Sequence, residues 1–496
     1  MTGDALKKWI YASAVPLAIM LIAMYFRPVW RDEVWAEYYS DISLNLPQIT
    51  DRLKNNIHPP SYFYALHYWR IFSDTVVWEK TLNLLVIICG FFAARAIGRP
   101  YPRQTALFLL LCVGSYWLIY YAGVIRPYTQ MFVLAALSVL VLARLLETKK
   151  GDRIFFWALL WAALGALNCL SHYFALSWVG FAGLFTGFVF LKQGRRRDFV
   201  IIGLASLLAV LPSCLWLVFT YESIGFRNGT PAATWSNLHS GLNQFLRGMF
   251  VKLIGSNPVV YLIAALSLMP LLRQKKPLDV VLAASVVATI LLIFIGHMSI
   301  TPLIKERAFM VIIPAIMLFA ARALNLSLDM GSFKKMWLIV PYVCAVMPFL
   351  FVSEYFKDRE KLGEVRSVFA SYPACETAEV LSYYRSFREG EAYGVYYFNK
   401  ALPGITGIDI KTASTRQISS VLNSDCPIKA VALVMPRGNR TEHTIARAAL
   451  NTALSQNSLT LPQNTLDLKA FEELSIGKGR NLLFVINSNT QKTRQK

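Results

Sequence analysis

Long apolar runs, separated by short polar segments, are the feature that most constrains this chain. A run of about 17–25 apolar residues is long enough to cross the hydrocarbon core of a bilayer as a helix. We predict eleven such spans, at residues 9–26, 78–97, 104–121, 127–146, 153–170, 172–191, 199–220, 257–272, 279–296, 307–324 and 335–352. Only 16% of the 496 residues are charged, against about 25% in soluble domains. The sequence therefore predicts an α-helical polytopic membrane protein.

The chain has a net charge of +21, and most of its basic residues lie in short loops between the apolar runs. Alternate short loops are basic, and this pattern marks the cytoplasmic side of a membrane protein rather than a nucleic-acid interface. These loops contain Lys7, Lys8, Arg95, Arg99, Arg103, Arg144, Lys149, Lys150, Arg153, Arg195, Arg196, Arg197, Arg273, Lys275, Lys276, Lys334 and Lys335. The first run ends in AMYFRPVW without a small-residue cleavage site, so we predict an uncleaved span. The N-terminus is expected inside, and the long loops 27–77 and 221–256 outside.

The tail after residue 352 has a different pattern. Strand-like runs at 393–399, 430–436 and 482–488 alternate with helical stretches such as 441–456. About 140 residues are enough for a small domain with its own core. We predict a transmembrane domain at 1–352 and a small C-terminal extracytoplasmic α/β domain at 353–496.

The seven cysteines show no CxxC spacing, so neither a zinc site nor a redox pair is indicated. Five of them lie in apolar runs and are expected to be small buried hydrophobic residues. Cys375 and Cys426 lie in the tail, where an oxidising compartment permits a disulfide.

Two polar features fall in the first long outer loop. The acidic pair Asp32 and Glu33 follows the first span, in RDEVWAEYYSD. One interpretation is that Asp32 caps an interfacial helix, and the other is that the carboxylates have a chemical task. The segment IHPPSYFYALHYW at 57–69 has the prolines and aromatic residues of an interfacial turn. That interpretation does not require His58.

Two further polar features lie on the same predicted face. The short loop YYAGVIRPYTQ at 120–130 contains Arg126, which either extends its charge to water or binds a ligand. The segment TPLIKERAFMVIIPA at 301–315 places Lys305, Glu306 and Arg307 directly before a span. These charges run against the positive-inside pattern, so a functional role is the default hypothesis.

Carboxylates and cations together on one aqueous face suggest a particular chemistry. Guanidinium groups match phosphate oxygens in a bidentate geometry, and a carboxylate can deprotonate an acceptor hydroxyl. The sequence contains no nucleotide-phosphate loop. We therefore predict transfer of a group from a polyprenyl phosphate to an acceptor outside the cytoplasm.

The motifs also resemble a family in their order along the chain. The acidic pair after the first span, HPPSYF, YYAGVIRPY, SHYF at 171–174 and ERAFMVIIPA are similar to those of the polytopic GT-C glycosyltransferases. Within them, the bacterial protein-mannosyltransferase-like and aminoarabinose-transferase-like branch is the nearest likeness, over about residues 1–350. The chain departs from the pattern at Val124, where many relatives have an acid, and at Ala308, where tyrosine is usual. These departures bear on the donor sugar more than on the reaction.

The resemblance implies a bundle of spanning helices, a polyprenyl-phosphate sugar donor, inversion at the anomeric carbon, and roles for individual residues. Asp32 becomes the general base, and Glu33 a group that orients donor or acceptor. The implied substrate-binding residues are His58, Arg126, Tyr128, His172, Lys305 and Arg307.

We therefore predict a glycosyltransferase of the bacterial cytoplasmic (inner) membrane, acting at its periplasmic face on a glycan, glycolipid or protein. The sequence does not identify the sugar or the acceptor. No metal site is predicted, although Asp32 and Glu33 leave a divalent cation open. Two alternatives stay open: a ligase that moves a whole glycan from a lipid diphosphate, and a lipid or solute transporter, for which charges on one face and the lack of a repeat are unfavourable.

Overall fold

The structure is a computed structural model. It describes residues 17, 18, 20–22, 24, 25, 31–54, 56, 58–148, 153–220, 235–255, 258–266, 274, 276–299 and 306–329. In the tail it describes five strands and the helical residues 417, 420 and 421. The predicted spans at 9–26 and 335–352 lie largely or wholly outside these residues, as do the tail segments at 393–399 and 441–456 and both tail cysteines.

The described part is mostly helical. Its α-helices are α1 (Arg31–Tyr39), α2 (Leu46–Leu53), α3 (Ser61–Arg70), α4 (Val76–Ile97), α5 (Pro102–Val113), α6 (Tyr116–Ala122), α7 (Tyr128–Glu147), α8 (Ile154–Cys169), α9 (Phe174–Lys192), α10 (Arg196–Thr220), α11 (Trp235–Leu246), α12 (Pro258–Leu266), α13 (Pro277–Ser299) and α14 (Ile313–Asp329). A π-helix at Arg247–Ile254 follows α11, and a 3₁₀-helix at Glu306–Val311 precedes α14.

Six described helices are long and apolar enough to cross a membrane, and the number is eight if each of two bent pairs counts as one span. The six correspond to the predicted spans at 78–97, 127–146, 153–170, 172–191, 199–220 and 279–296. Several apolar spans are therefore confirmed, while the total of eleven stays a prediction. Helix α7 is buried along nearly its whole length, whereas α10 exposes Leu204, Leu207 and Leu211, as a helix facing lipid does.

The predicted span at 104–121 is bent by 57° between α5 and α6. The bend falls at Gly114 and Ser115. The Ser115 hydroxyl donates to the Cys112 carbonyl at 2.8 Å and accepts the Leu118 N–H at 3.2 Å, so one side chain ends one helix and caps the next. The short helix α6 therefore leaves the direction of α5 before the chain reaches Arg126.

The five strands of the tail form one mixed sheet. They are β1 (Glu379–Arg385), β2 (Thr406–Asp409), β3 (Ile428–Val434), β4 (Phe471–Ile476) and β5 (Asn481–Asn487), in the order β2-β1-β3-β5-β4. Pairs β1–β2 and β1–β3 are parallel, and β3–β5 and β4–β5 are antiparallel. Two of the strand-like runs, 430–436 and 482–488, coincide with β3 and β5.

The chain forms two compact units. One comprises Met1–Arg27 and Tyr39–Phe356, and the other comprises Pro28–Tyr38 and Lys357–Lys496. Most of α1, with Asp32 and Glu33, therefore groups with the tail, although it is more than 300 residues away in sequence. A division at residue 352 into two consecutive domains stays a prediction.

Candidate functional site

The turn between α6 and α7 holds Arg126 in place. Helix α6 ends at Ala122, and the buried side chain of Asn83 on α4 donates to the carbonyls of Ala122 and Val124 at 3.1 and 2.6 Å. The backbone N–H of Arg126 then donates to the Val124 carbonyl at 2.8 Å. An amide from a spanning helix thus fixes the turn from which the guanidinium extends.

The HPPS segment is fastened to the turn between α8 and α9. The Ser61 hydroxyl and backbone N–H both donate to the Leu170 carbonyl, at 2.9 and 3.2 Å. The Gln130 side chain on α7 reaches the Ser61 hydroxyl at 3.3 Å. These bonds bring His58 beside His172, which lies two residues after Leu170.

Five of the predicted site residues come together at this place. Nη2 of Arg126 lies 3.1 Å from Nε2 of His58, and the rings of His58 and His172 are 4.8 Å apart. Tyr128 lies 6.0 Å from His58 and 5.8 Å from His172, measured between ring centroids. The Arg307 guanidinium lies over the Tyr128 ring at 5.3 Å. Four separated sequence motifs therefore form one cluster.

The hydrogen bonds define which ring nitrogens carry protons. An arginine only donates, so Nε2 of His58 accepts and its proton is on Nδ1. The backbone N–H of Phe174 donates to Nδ1 of His172 at 3.3 Å, which leaves the proton of the neutral ring on Nε2. Burial, with the charges of Arg307 and Arg126, lowers the pKa of His172 to about 3. His172 is therefore a neutral hydrogen-bond donor at physiological pH and not a general acid.

Arg126 is the electrostatic centre of the cluster. It is buried, with 5% of its surface exposed, and in the described part of the chain no carboxylate pairs with it. Its Nε and the Tyr128 hydroxyl are buried without a hydrogen-bond partner among the described residues. A buried, uncompensated charge is costly. Together with the Nε2 proton of His172, these donors form a site whose chemistry fits an anion.

The remaining predicted site residues are placed as follows. Asp32 and Glu33 both belong to α1, and the Glu33 side chain is fully buried. Helix α1 begins at Arg31, so Asp32 lies in its first turn rather than before it. Lys305 and the side chain of Asp32 lie outside the described residues. Among those described, no three or more His, Cys, Asp or Glu side chains are grouped as metal ligands.

Sequence analysis missed several buried charges. Arg70 and Glu79 form a buried ion pair at 2.6 Å, which joins the end of α3 to the first turn of α4. Lys80 is also buried and donates to the Met24 carbonyl at 3.1 Å. The acidic–basic pair at 79–80, inside an apolar run, was the available signal. The sequence contains no such signal for Lys252, because its partner Glu306 lies 54 positions later.

No protein-family model and no curated protein sequence matches the chain. Solved structures do match it. ArnT from Cupriavidus metallidurans, bound to undecaprenyl phosphate, aligns over 97% of this chain and 98% of its own, with a TM-score of 0.56 and 11% identity. Its apo form has the same TM-score and identity, over 98% and 99% of the two chains.

A second protein shares the fold. The oligosaccharyltransferase of Archaeoglobus fulgidus, tethered to an acceptor peptide, aligns over 91% of this chain and 68% of its own, with a TM-score of 0.50 and 11% identity. The structural similarity establishes the fold, but at 11% identity it leaves the substrate open. The chain therefore shares the fold of these two proteins.

Proposed function

We propose that the chain is a membrane glycosyltransferase that moves a sugar from a polyprenyl-phosphate-linked donor to an acceptor hydroxyl. The observation that carries this proposal is the buried Arg126, which has no carboxylate partner in the described part of the chain. A phosphate of the donor supplies the missing negative charge. That ArnT of Cupriavidus metallidurans binds undecaprenyl phosphate on the same fold supports a donor of this class.

The residues of the cluster then have separate roles in binding the donor phosphate. Arg126 and Arg307 bind the phosphate oxygens and stabilise the charge that develops as the bond to the sugar breaks. Tyr128 and the neutral His172 donate hydrogen bonds to the same group. Since each of these groups donates, the site favours the departing phosphate over a neutral ligand or a metal cation.

The acceptor hydroxyl needs a base, and the cluster has none. We assign this role to Asp32, with Glu33 orienting the donor or the acceptor. Asp32 accepts the hydroxyl proton, the oxygen bonds to the anomeric carbon, and the bond to the phosphate oxygen breaks with the electron pair leaving on the phosphate. One displacement of this kind inverts the anomeric centre.

We place the reaction at the periplasmic face of a bacterial inner membrane. The charge asymmetry of the loops supports this orientation, because the site segments at 58–61, 123–128 and 306–311 alternate with the basic loops along the chain. The acceptor is a glycan, a glycolipid or a protein. Within the GT-C superfamily, we propose that the chain is related to the bacterial protein-mannosyltransferase-like and aminoarabinose-transferase-like branch.

A second candidate is a ligase that transfers a whole glycan from a lipid diphosphate. The structural likeness to the Archaeoglobus oligosaccharyltransferase supports this second candidate, since the same cations would serve a larger leaving group. Mass spectrometry of envelope lipids and glycans, from cells with and without the gene, separates the two candidates. One added sugar supports the transferase, and an added oligosaccharide supports the ligase.

Arg126→Ala provides the direct test of the phosphate site. Loss of a charge-assisted hydrogen bond of about 1.5–3 kcal/mol should weaken binding of undecaprenyl phosphate about 10- to 100-fold. Arg126→Lys should recover part of the affinity, because ammonium keeps the charge and loses the fork geometry. Microscale thermophoresis of the purified protein in detergent, with undecaprenyl phosphate as ligand, measures both.

Arg144→Ala is the matched control. It removes an arginine from the far end of α7, where the guanidinium lies over Trp157 at 5.0 Å, and should leave the affinity unchanged. If folded Arg126→Ala binds undecaprenyl phosphate as the wild type does, Arg126 has no part in donor binding and the proposed phosphate site does not exist.

A further inference from the structure

The second long outer loop ends in a π-helix, Arg247–Ile254. In a π-helix the hydrogen bonds join residues five apart, so side chains five apart lie on the same side of the helix. In an α-helix the same two side chains would diverge by about 140°. Arg247 and Lys252 are five apart. The π geometry therefore places the two cations on the same side of the helix.

Both cations reach one carboxylate. Nε of Arg247 lies 3.3 Å from Oε1 of Glu306, and Lys252 forms an ion pair with the other carboxylate oxygen. Lys252 is 8% exposed, and its ammonium lies 4.9 Å from the Tyr116 ring and 5.6 Å from the Trp117 ring. Lys252 therefore binds Glu306 from a fixed position between α6 and the 3₁₀-helix.

The π-helix packs against its neighbours at Gly248. A Cβ atom at Gly248 would lie 3.4 Å from the Trp117 ring and 3.8 Å from both Cβ and the carbonyl oxygen of Glu306. The π-helix thus lies directly against the start of the 3₁₀-helix. It holds that start through packing as well as through charge.

Arg307 is the next residue after this anchor. Its guanidinium lies over Tyr128 in the candidate site, while Ala308, Phe309, Met310 and Val311 are fully buried. The short 3₁₀-helix is therefore fixed at its first residue by the ion pair and over its last four by packing. Between these fixed parts, the backbone position of Arg307 has little freedom.

We propose that Lys252 is a positioning residue that acts through Glu306 to hold Arg307 over Tyr128. In this way the loop 221–256 sets how tightly the donor phosphate is bound. The inference rests on the proposed function, since it needs Arg307 to bind phosphate. A solely structural ion pair is the alternative, because a buried pair of charges does not by itself imply a role beyond packing.

The test is a double-mutant cycle with undecaprenyl phosphate as the probe. We expect Lys252→Met to weaken binding about tenfold, the size usual for coupled neighbours, and Lys252→Arg to restore much of it. In an Arg307→Ala background, Lys252→Met should cause no further loss, because the lysine acts only through that arginine. Dissociation constants of the four proteins of the Met/Ala cycle, with thermal unfolding of each, complete the measurement.

A second variant guards against misfolding. Lys252→Met/Glu306→Gln removes both charges of the buried pair, so that neither charge is left buried without its partner. It should fold and still bind more weakly, because the anchor before Arg307 is gone. Arg195→Met is the matched control, since Arg195 also pairs with a carboxylate, Asp198 at 2.7 Å, and lies over a ring.

The outcomes are distinct. If Arg307→Ala weakens binding and Lys252→Met does not, the phosphate site stands and the positioning role is wrong. If Lys252→Met costs the same factor with and without Arg307, the lysine acts independently and the inference is also wrong. If Arg307→Ala binds as the wild type does, Arg307 has no part in the site, and the inference falls with that assignment.

Discussion

His172 shows how a residue's surroundings can change what its side chain is able to do. A free histidine takes up a proton near pH 6.5, but burial and the charges of Arg307 and Arg126 lower the pKa of His172 to about 3. The folded protein therefore keeps the ring neutral over the physiological range. In the proposed site, the neutral ring would donate a hydrogen bond from Nε2 to an anionic ligand.

This pKa shift predicts a pH dependence of stability. Between pH 6.5 and about 3 the unfolded chain binds a proton at His172 that the folded chain does not. The stability that comes from the neutral His172 is thus fully present above pH 6.5 and is lost as the pH falls toward 3. We expect His172→Gln to show a shallower fall in melting temperature between pH 7 and 4.5 than the wild type. Parallel curves for the two proteins would contradict the neutral state of His172.

The acidic pair gives a second test at the level of single residues. Asp32 lies in the first turn of α1, where Asn retains the shape and loses only a modest interaction with the helix dipole. If Asp32 is the base, Asp32→Asn should lower transfer about 10²- to 10⁴-fold with little change in melting temperature. Turnover by the purified enzyme measures this.

Glu33→Gln is the control for that substitution. As an orienting group, Glu33 should cost less activity than Asp32 when its charge is removed. Near-normal turnover of Asp32→Asn would exclude it from the mechanism. A severe loss in Glu33→Gln alone would transfer the role of base to Glu33.

At the scale of elements, the sequence predicted spans well and their interruptions poorly. Long apolar runs leave one physical option in a bilayer, so six described helices coincide with predicted spans. The bend at Ser115 was missed, because a hydroxyl inside an apolar run is equally compatible with a continuous helix. The π-helix was missed because its 8 residues are too few for hydrophobic spacing to distinguish it from an α-helix.

The site was predictable only as far as motifs reach. Each motif placed its polar residue on the same face, and five of those residues do meet in one cluster. The residues that hold the cluster in place were not predicted. Asn83, in an apolar run, holds the turn before Arg126, and Lys252, in a long loop, pairs with Glu306. These contacts join residues about 40 to 54 positions apart, and a single sequence does not show which distant side chains pair.

At the scale of the whole molecule, the larger unit has charged contacts away from the candidate site as well. Asp279 of α13 binds Arg322 of α14 through two bonds of 2.6 and 3.1 Å, and Arg103 of α5 binds Asn325 at 2.5 Å. These contacts join helix ends next to loops predicted to be cytoplasmic. The cluster of His58, Arg126 and His172 belongs to the turns between the opposite ends of the spans. Both sides of the bundle therefore contain paired charges, but only the side of the candidate site presents a buried arginine, Arg126, that has no carboxylate partner among the described residues.

The orientation of this bundle leads to a prediction about the tail. If the basic loops are cytoplasmic, as the positive-inside rule requires, a chain that enters the tail after the last predicted span does so in the periplasm. Alkaline phosphatase, which folds only there, should be active when fused after Phe351 and inactive when fused after Lys276. A green fluorescent protein at the same two positions is the control, because it should fluoresce only after Lys276. An active phosphatase after Lys276 with an inactive one after Phe351 would invert the topology, and would place Arg126 and the proposed phosphate site on the cytoplasmic side.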